Sequence, residues 1–166
     1  LKNFAQEKPK ERILPFLASL KEHFPQYLDE LKGIAHGAGA DFDLLFILNL
    51  NPELNAMMSG GKEENCSTII VKTQDKILLG HNEDGSEKYL DLMFILRAKT
   101  PTGEFMVLSY PGIIPGNGPG INKNGIIHTC NYIGSKLWQK GVPRYFIDRA
   151  MLDAKDINQA IKIAGH

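Results

Sequence analysis

The feature that most constrains the fold of this sequence is its abrupt change of character at Cys66. A polar segment that contains two glycines, residues 59–64, precedes Asn65, and a β-branched run that predicts a buried strand begins at Cys66. Helical patterns lie before this boundary, and strand patterns follow it. An exposed polar segment is also where chains are most easily cut. We therefore expect cleavage of the peptide bond between Asn65 and Cys66, which would make Cys66 the first residue of a new fragment.

Apolar residues at helical spacing predict the structure before this boundary. Pro15 is expected to kink or restart the first helix, and Gly37 and Gly39 are expected to end the second. Asp41 is a candidate N-cap for the third helix, whose apolar residues on nearly every side predict burial against a sheet. The predicted helices cover residues 8–24, 25–35 and 42–50.

After the boundary, the pattern predicts an antiparallel meander followed by two helices. The Gly- and Pro-rich segment 111–120 predicts a mobile loop, and Asp156 is a candidate cap for the last helix. The strands are expected at residues 66–71, 76–82, 91–99, 104–110 and 126–131, and the helices at 143–154 and 156–164. This order indicates an α+β fold rather than alternating βα units. A chain of 166 residues suits a single domain, residues 1–166.

Charge and cysteine content exclude several classes of protein. The 19 Lys and Arg residues balance the 19 Asp and Glu residues, so no net field recruits nucleic acid or an anionic membrane. No apolar segment approaches the length of a transmembrane helix, and the N-terminus lacks the apolar core of a signal peptide. The two cysteines are too few for a disulfide framework and lack zinc-finger spacing with the histidines. We expect a cytoplasmic protein with reduced thiols and no metal or cofactor.

Cys66 is the first candidate for chemistry. A cysteine at the start of a strand is more often a small buried core residue than a nucleophile. Cleavage would change this, because a free α-amine on Cys66 lies close enough to take the proton of its own thiol. The two groups have reference pKa values of about 8 and about 8.5, so both titrate near neutral pH. One residue would then supply both nucleophile and base.

Three other residues are weighed as partners of Cys66. Asp84 ends the second strand, and the antiparallel return of the hairpin is expected to bring its carboxylate towards Cys66. The simpler interpretation is that Asp84 caps a turn, a position that Asp commonly occupies. His81 and His128 are candidates for a Cys–His dyad, but a hydrogen-bonded structural histidine is the commoner case in a strand pattern.

Several short motifs occur in a characteristic order along the chain. They are Gly33-Ile34-Ala35 at the end of the second helix, Leu48-Asn49 followed by Glu53, Cys66-Ser67-Thr68, Gly80 to Asp84 with Asn82, Asn122 to Asn131, and Gly141-Val142-Pro143. With these motifs the chain resembles the acyl-coenzyme A:6-aminopenicillanic acid acyltransferase family, the penicillin acyltransferase branch of the cysteine N-terminal-nucleophile hydrolases. The resemblance spans nearly the whole chain, although this chain has Asn65 where the family usually has Gly.

This resemblance implies an activity and a set of site residues. It implies that Cys66 is the nucleophile, that Asp84 is the carboxylate beside the new amine, and that Asn131 offers an amide to the oxyanion. It implies a four-layer αββα sandwich whose C-terminal part is missing here. The partners implied are a small-molecule amide or acyl donor and the two cleavage fragments, residues 1–65 and 66–166. The fragments would associate with each other, and a homo-oligomer is one expected assembly.

Two alternatives remain open. One is a binding module without catalysis, in which Cys66 is buried and the chain is uncut. The other is a thiol hydrolase with a Cys–His pair, which would use His81 or His128 instead of a free amine. The mass of the mature protein separates a cut chain from an uncut one.

Overall fold

The computed structural model of the chain describes residues 9–59, 66–133 and 139–166. Helices precede Cys66 and antiparallel strands follow it, so the predicted α+β class is confirmed. The predicted cleavage site includes Asn65, which lies outside the described residues. The helices are α1 (Pro9–His23), α2 (Pro25–Ala38), α3 (Phe42–Leu48), α4 (Asn51–Ser59), α5 (Arg144–Met151) and α6 (Ile157–Ala164). The strands are β1 (Ser67–Lys72), β2 (Ile77–Asn82), β3 (Phe94–Lys99), β4 (Glu104–Ser109), β5 (Gly120–Asn122) and β6 (Ile127–His128).

The helix ends follow local side-chain chemistry. The Asp41 carboxylate accepts a hydrogen bond from the Leu44 backbone N–H at 2.9 Å, which confirms the predicted cap of α3. Asp156 likewise caps α6. Helix α2 ends at Gly39, whose φ of 61° is left-handed. The prediction that Gly37 helps to end α2 was wrong, because Gly37 lies inside the helix.

The main hydrophobic core lies among the helices. Phe46, Leu50 and Phe146 are fully buried in it, together with side chains of α1 and α2. Tyr110, Ile113 and Ile114, which follow β4, complete this core. The prediction that a sheet buries α3 was therefore wrong, since the buried side chains around it come from other helices and from this loop.

The loop that follows β4 is packed rather than exposed. Asn49, the C-cap of α3, holds the loop, because its Nδ2 donates to the Gly112 carbonyl and its Oδ1 accepts from the Ile114 N–H, both at 2.8 Å. Gly116 has a φ of 132°, and a Cβ there would lie 2.6 Å from the backbone nitrogen of Arg149. The Gly and Pro residues of segment 111–120 thus permit close packing, which contradicts the expectation of a mobile loop.

The strands form two antiparallel sheets. β1 and β2 pair with each other, from Ser67 opposite Asn82 to Lys72 opposite Ile77. The other four strands form a sheet in the order β3-β4-β5-β6. The strand predicted for residues 126–131 forms only at Ile127–His128, and β5 was not predicted. At Gly120 in β5, a Cβ would lie 2.9 Å from the Leu152 side chain, so the missing side chain permits this packing.

The β1–β2 hairpin leaves much apolar surface in contact with solvent. Ile69 and Ile70 are 65% and 64% exposed, so the prediction of a buried strand at residues 66–71 was wrong for the described part of the chain. β-Branched residues favour an extended backbone whether or not another layer covers them. None of the helices in the described ranges is long and apolar enough to cross a membrane.

Candidate active site

The pairing of β1 with β2 determines the neighbours of Cys66. Thr68 lies opposite His81, and Ser67 lies opposite Asn82. One residue further along, the same register places Glu83 opposite Cys66. Because opposite residues in an antiparallel pair share a face, Cys66 and Thr68 face His81 and Glu83. The Cys66 Sγ, a ring nitrogen of His81 and a carboxylate oxygen of Glu83 all lie within 4.8 Å of one another.

The His81 ring is held at both nitrogens. Its Nδ1 lies 2.9 Å from the Thr68 Oγ1, and its Nε2 lies 3.1 Å from the Glu83 Oε2. The His81 side chain is 2% exposed, whereas that of Glu83 is 20% exposed. Carboxylate, imidazole and hydroxyl therefore form a continuous chain beside the thiol. Such a chain orients the imidazole ring.

Thr68 also connects this chain to the end of the four-stranded sheet. Its hydroxyl donates to the Asn131 Oδ1 at 2.9 Å and lies 3.2 Å from the Thr129 Oγ1. Thr129 and Asn131 thus contact the same hydroxyl, although β6 ends at His128. Because the Asn131 Oδ1 accepts from Thr68, its exposed Nδ2 group remains able to donate to another oxygen.

Tyr110 supports Glu83 from the side of the core. It lies directly after β4 and is 7% exposed. Burial raises the pKa of Tyr110 well above its usual range, and a hydrogen bond to Glu83 raises it further. The phenol is therefore neutral at physiological pH and donates its proton to the carboxylate. This contact fixes Glu83 from a part of the chain remote in sequence.

Asp84 occupies a different position from its neighbour Glu83. Continued alternation from β2 places Asp84 on the face of Asn82, opposite to that of His81 and Glu83. Its side chain is exposed, and no described residue forms a hydrogen bond with it. Glu83 is thus the carboxylate brought to the thiol. The role of Asp84 beside the amine of Cys66 stays a prediction.

The second cysteine lies in a separate polar cluster. Arg144, the first residue of α5, donates from Nη1 to the Cys130 Sγ at 3.2 Å and from Nη2 to the Asn117 Oδ1 at 3.1 Å. Its guanidinium also lies over the rings of Tyr145 and Tyr132, 5.1 Å and 5.4 Å from their centroids. Burial raises the pKa of Cys130 to about 11, and the nearby Asp148 carboxylate adds to this effect.

Buried acidic groups complete this cluster. The Glu53 Oε1 accepts from the Arg144 backbone N–H at 2.7 Å, and burial raises the pKa of Glu53. Asp148 lies 3.5 Å from the His128 Nε2 and 4.0 Å from the Arg144 Nε. His128 therefore faces Asp148 in this second cluster, whereas His81 lies beside Cys66. The two clusters adjoin, since the proximity of Cys66 and Glu83 is among the causes of the raised pKa of Cys130.

Several residues of the site were not predicted. Glu83 could have been found from the sequence, because the hairpin register places it opposite Cys66 once the turn is located. His81 was weighed but judged structural. Tyr110 reaches Glu83 and Arg144 reaches Cys130 through tertiary contacts, and the local pattern contains no signal for either. The sequence pattern also gave no sign that three metal-ligand types converge at Cys66.

Comparison with known proteins agrees with the motifs. Residues 71–165 match the family described as acyl-coenzyme A:6-aminopenicillanic acid acyl-transferase. This range includes Asp84 and Asn131 and begins after Cys66. The chain is also similar to the β-alanyl-dopamine/carcinine hydrolase of Drosophila melanogaster, with 35% identity over 164 residues. That alignment covers 89% of this chain and 42% of the relative, so the chain spans less than half the length of the relative.

Proposed function

Since the chain belongs to the acyl-coenzyme A:6-aminopenicillanic acid acyl-transferase family, we propose that it is the nucleophile-bearing part of a self-processing amide hydrolase or acyltransferase. One observation carries the proposal. The Cys66 thiol, a ring nitrogen of His81 and a carboxylate oxygen of Glu83 lie within 4.8 Å of one another. A thiol with a proton acceptor in reach is the arrangement that nucleophilic catalysis requires.

The first proposed step cuts the chain. The Cys66 sulfur attacks the carbonyl carbon of Asn65, the C–N bond breaks, and the α-amine of Cys66 leaves with the proton of the thiol. Water then attacks the resulting thioester, which releases the Asn65 carboxylate and restores the thiol. In this proposed step a ring nitrogen of His81, within 4.8 Å of the Cys66 sulfur, would hold the thiol proton before the amine is free.

The second proposed step acts on the substrate. The Cys66 sulfur attacks the carbonyl carbon of an amide, and the thiol proton passes to the α-amine. When the tetrahedral intermediate collapses, this proton goes to the departing amine and an acyl thioester remains. Water gives hydrolysis, and a second amine gives acyl transfer. The Asn131 Nδ2 donates to the oxyanion, and Asp84 orients the α-amine.

The chemistry of Asn131 has a structural support. Its Oδ1 is engaged by the Thr68 hydroxyl, and Thr68 lies two residues from Cys66 on the same strand face. A donor held in place before the reaction stabilises a developing oxyanion by about 3 kcal/mol in enzymes of this kind. Asn131 therefore belongs with Cys66 in the proposed machinery.

The proposed architecture is one domain, residues 1–166, that forms part of a four-layer αββα sandwich. After cleavage, residues 1–65 and 66–166 would stay associated. The exposed apolar faces of the strands support a fold in which another layer covers them. We propose a cytoplasmic protein whose partner is a small molecule rather than a nucleic acid or a membrane. By analogy with the relative, β-alanyl-dopamine and carcinine are the first substrates to test.

The experiment that tests this proposal uses the full-length protein. Mass spectrometry and N-terminal sequencing should find a fragment that begins at Cys66, and the cut protein should release the amine from β-alanyl-dopamine or carcinine. A panel of other N-acyl amines extends the assay if neither is a substrate. Full amidase activity in a protein that remains uncut would sink the role of the α-amine.

The position of His81 favours one second candidate, a Cys–His hydrolase that needs no cleavage. In that enzyme the His81 imidazole would take the thiol proton in the intact chain. Uncut protein would then be active, and His81→Ala would abolish turnover. In the self-processing enzyme, by contrast, chemical acetylation of the Cys66 α-amine would abolish turnover.

A further inference from the structure

The side chains around Cys66 contain three of the ligand types that zinc prefers. We propose that Cys66, His81 and Glu83 form a zinc-binding site, and that bound zinc reversibly blocks the Cys66 thiol. A thiolate sulfur, an imidazole nitrogen and a carboxylate oxygen are common ligands of Zn²⁺ in proteins. Here they converge within 4.8 Å on one face of a hairpin.

The hydrogen bonds of Thr68 show which His81 nitrogen faces the site. The Thr68 hydroxyl has one proton, and it donates this proton to the Asn131 Oδ1 at 2.9 Å. The contact of 2.9 Å between Thr68 Oγ1 and His81 Nδ1 must then be donated by an Nδ1–H group. In the neutral ring this leaves a lone pair on Nε2, which faces the Glu83 carboxylate at 3.1 Å. A cation between these two atoms, either a proton or a metal ion, would relieve the repulsion between them.

The geometry also suits a metal ion. Two ligands at about 2.0–2.1 Å from a tetrahedral zinc lie about 3.3 Å apart, close to the Nε2–Oε2 distance of 3.1 Å. The Nδ1–H group of His81 would donate to Thr68, and Tyr110 would donate to Glu83. Second partners of this kind fix the orientation of metal ligands and strengthen binding.

Cleavage would add a fourth ligand. This step rests on the proposed function, because the α-amine of Cys66 is free only in the cut chain. The amine and the thiolate of one residue close a five-membered ring with a metal ion, which completes a tetrahedral set of four ligands. The cut protein should therefore bind zinc more tightly than the uncut protein. On binding, the thiol loses its proton to solvent and its sulfur lone pair to the metal, so it no longer attacks a carbonyl carbon.

The test titrates full-length protein with zinc chloride in competition with a chromophoric chelator. Wild-type protein should bind one zinc ion, and Co²⁺ in its place should give a thiolate-to-metal charge-transfer band. Glu83→Gln and Cys66→Ser should each weaken zinc binding by about tenfold to a hundredfold. The exposed Glu87, in the 3₁₀ turn Glu87–Tyr89, provides the matched control, and Glu87→Gln should bind as wild type does. Circular dichroism checks that each variant is folded.

The outcomes separate the site from the enzyme mechanism. The zinc site is overturned if folded wild-type protein shows no saturable binding of one zinc ion below about 0.1 mM. It is also overturned if the Glu83→Gln variant binds zinc as tightly as the wild type does. Both outcomes hold even if the chain is cut and active. If the protein is uncut and inactive but binds zinc through these three residues, the zinc site is supported and the proposed function is wrong. Equal affinity of cut and uncut protein overturns the fourth ligand alone.

Discussion

The two cysteine regions of this chain have similar burial but different chemistry. Cys66 and Cys130 are both half-buried, and each lies beside a nitrogen-containing side chain. The neighbour of Cys66 is the His81 imidazole, which can accept a proton. The neighbour of Cys130 is the Arg144 guanidinium, which remains charged at every physiological pH and cannot accept one. A proton acceptor, rather than a nearby positive charge, therefore distinguishes the candidate nucleophile.

Burial explains why Arg144 does not activate Cys130. A cation beside a thiol normally lowers its pKa, as Arg144 does here. Two effects raise the pKa and outweigh Arg144: the thiolate is desolvated, and the Asp148 carboxylate lies nearby. The pKa of Cys130 is therefore about 11. At neutral pH its thiolate fraction is on the order of 0.01%. Cys130 thus lies beside a cation, as reactive cysteines often do, but its thiol stays protonated and unreactive.

The largest expected effect comes from removing each thiol in turn. Cys66→Ala should abolish chain cutting and should lower kcat by about 10⁴-fold or more, because the attacking sulfur is lost from both steps. Cys130→Ala should be cut and should retain activity within about tenfold, since that thiol takes no part in the proposed reaction. Mass spectrometry and steady-state kinetics measure both. A folded Cys130→Ala protein with no turnover would break the distinction between the two regions.

The next effect concerns the side-chain amide of Asn131, which is the proposed oxyanion donor. Asn131→Ala should lower kcat by about a hundredfold or more and leave the Tm and KM nearly unchanged, because the donor acts mainly in the transition state. Asn131→Asp is the matched control for shape, since it keeps the acceptor for Thr68 but has no N–H donor at neutral pH. It should be as impaired as Asn131→Ala. Full activity in a cut, folded variant would remove Asn131 from the site.

How much of this site the sequence predicts depends on the range of each contact. The caps Asp41 and Asp156 and the β1–β2 hairpin were predicted, because neighbours along the chain determine them. Cys66 was chosen as a candidate from a change of pattern at one position. These features need no knowledge of the rest of the fold.

The features that were missed depend on contacts between distant parts of the chain. Tyr110 reaches Glu83, and Glu53 reaches the backbone of Arg144, through packing that no periodicity encodes. The burial of segment 111–120 was missed because Gly and Pro are typical both of exposed loops and of close packing. The exposure of β1 was missed because strand preference does not depend on the presence of a covering layer.

Alkylation measures the difference between the two thiols directly. In folded protein at pH 8, Cys130 should react with iodoacetamide about a hundredfold more slowly than an ordinary thiol, because a pKa of about 11 lies about two units above the usual value and thiolate is the reactive form. Peptide mapping by mass spectrometry at successive times gives both rates. In concentrated urea the two cysteines should react at similar rates. If the rate difference of the folded protein persists in urea, local sequence rather than burial causes it.

The smallest effect concerns the charge buried beside Arg144. Burial raises the pKa of Glu53 in the folded protein above its unfolded value. The protonated form therefore contributes stability that is fully present below the unfolded pKa and is lost as the pH rises through the folded pKa. Each pKa unit between the two states corresponds to about 1.4 kcal/mol. Stability from this residue should decrease between pH 4 and pH 8.

Glu53→Gln isolates this contribution, because glutamine keeps an oxygen that can accept from the Arg144 N–H and has no charge. The free energy of unfolding of the variant, minus that of the wild type, should be larger at pH 8 than at pH 4. Urea unfolding at the two pH values measures this difference, and the exposed Glu87→Gln should show no such pH dependence. A difference that does not change with pH would mean that ionised Glu53 is fully compensated by Arg144. The Cys130 region would then be a stabilising ion cluster, and its contrast with the Cys66 region would rest on proton transfer alone.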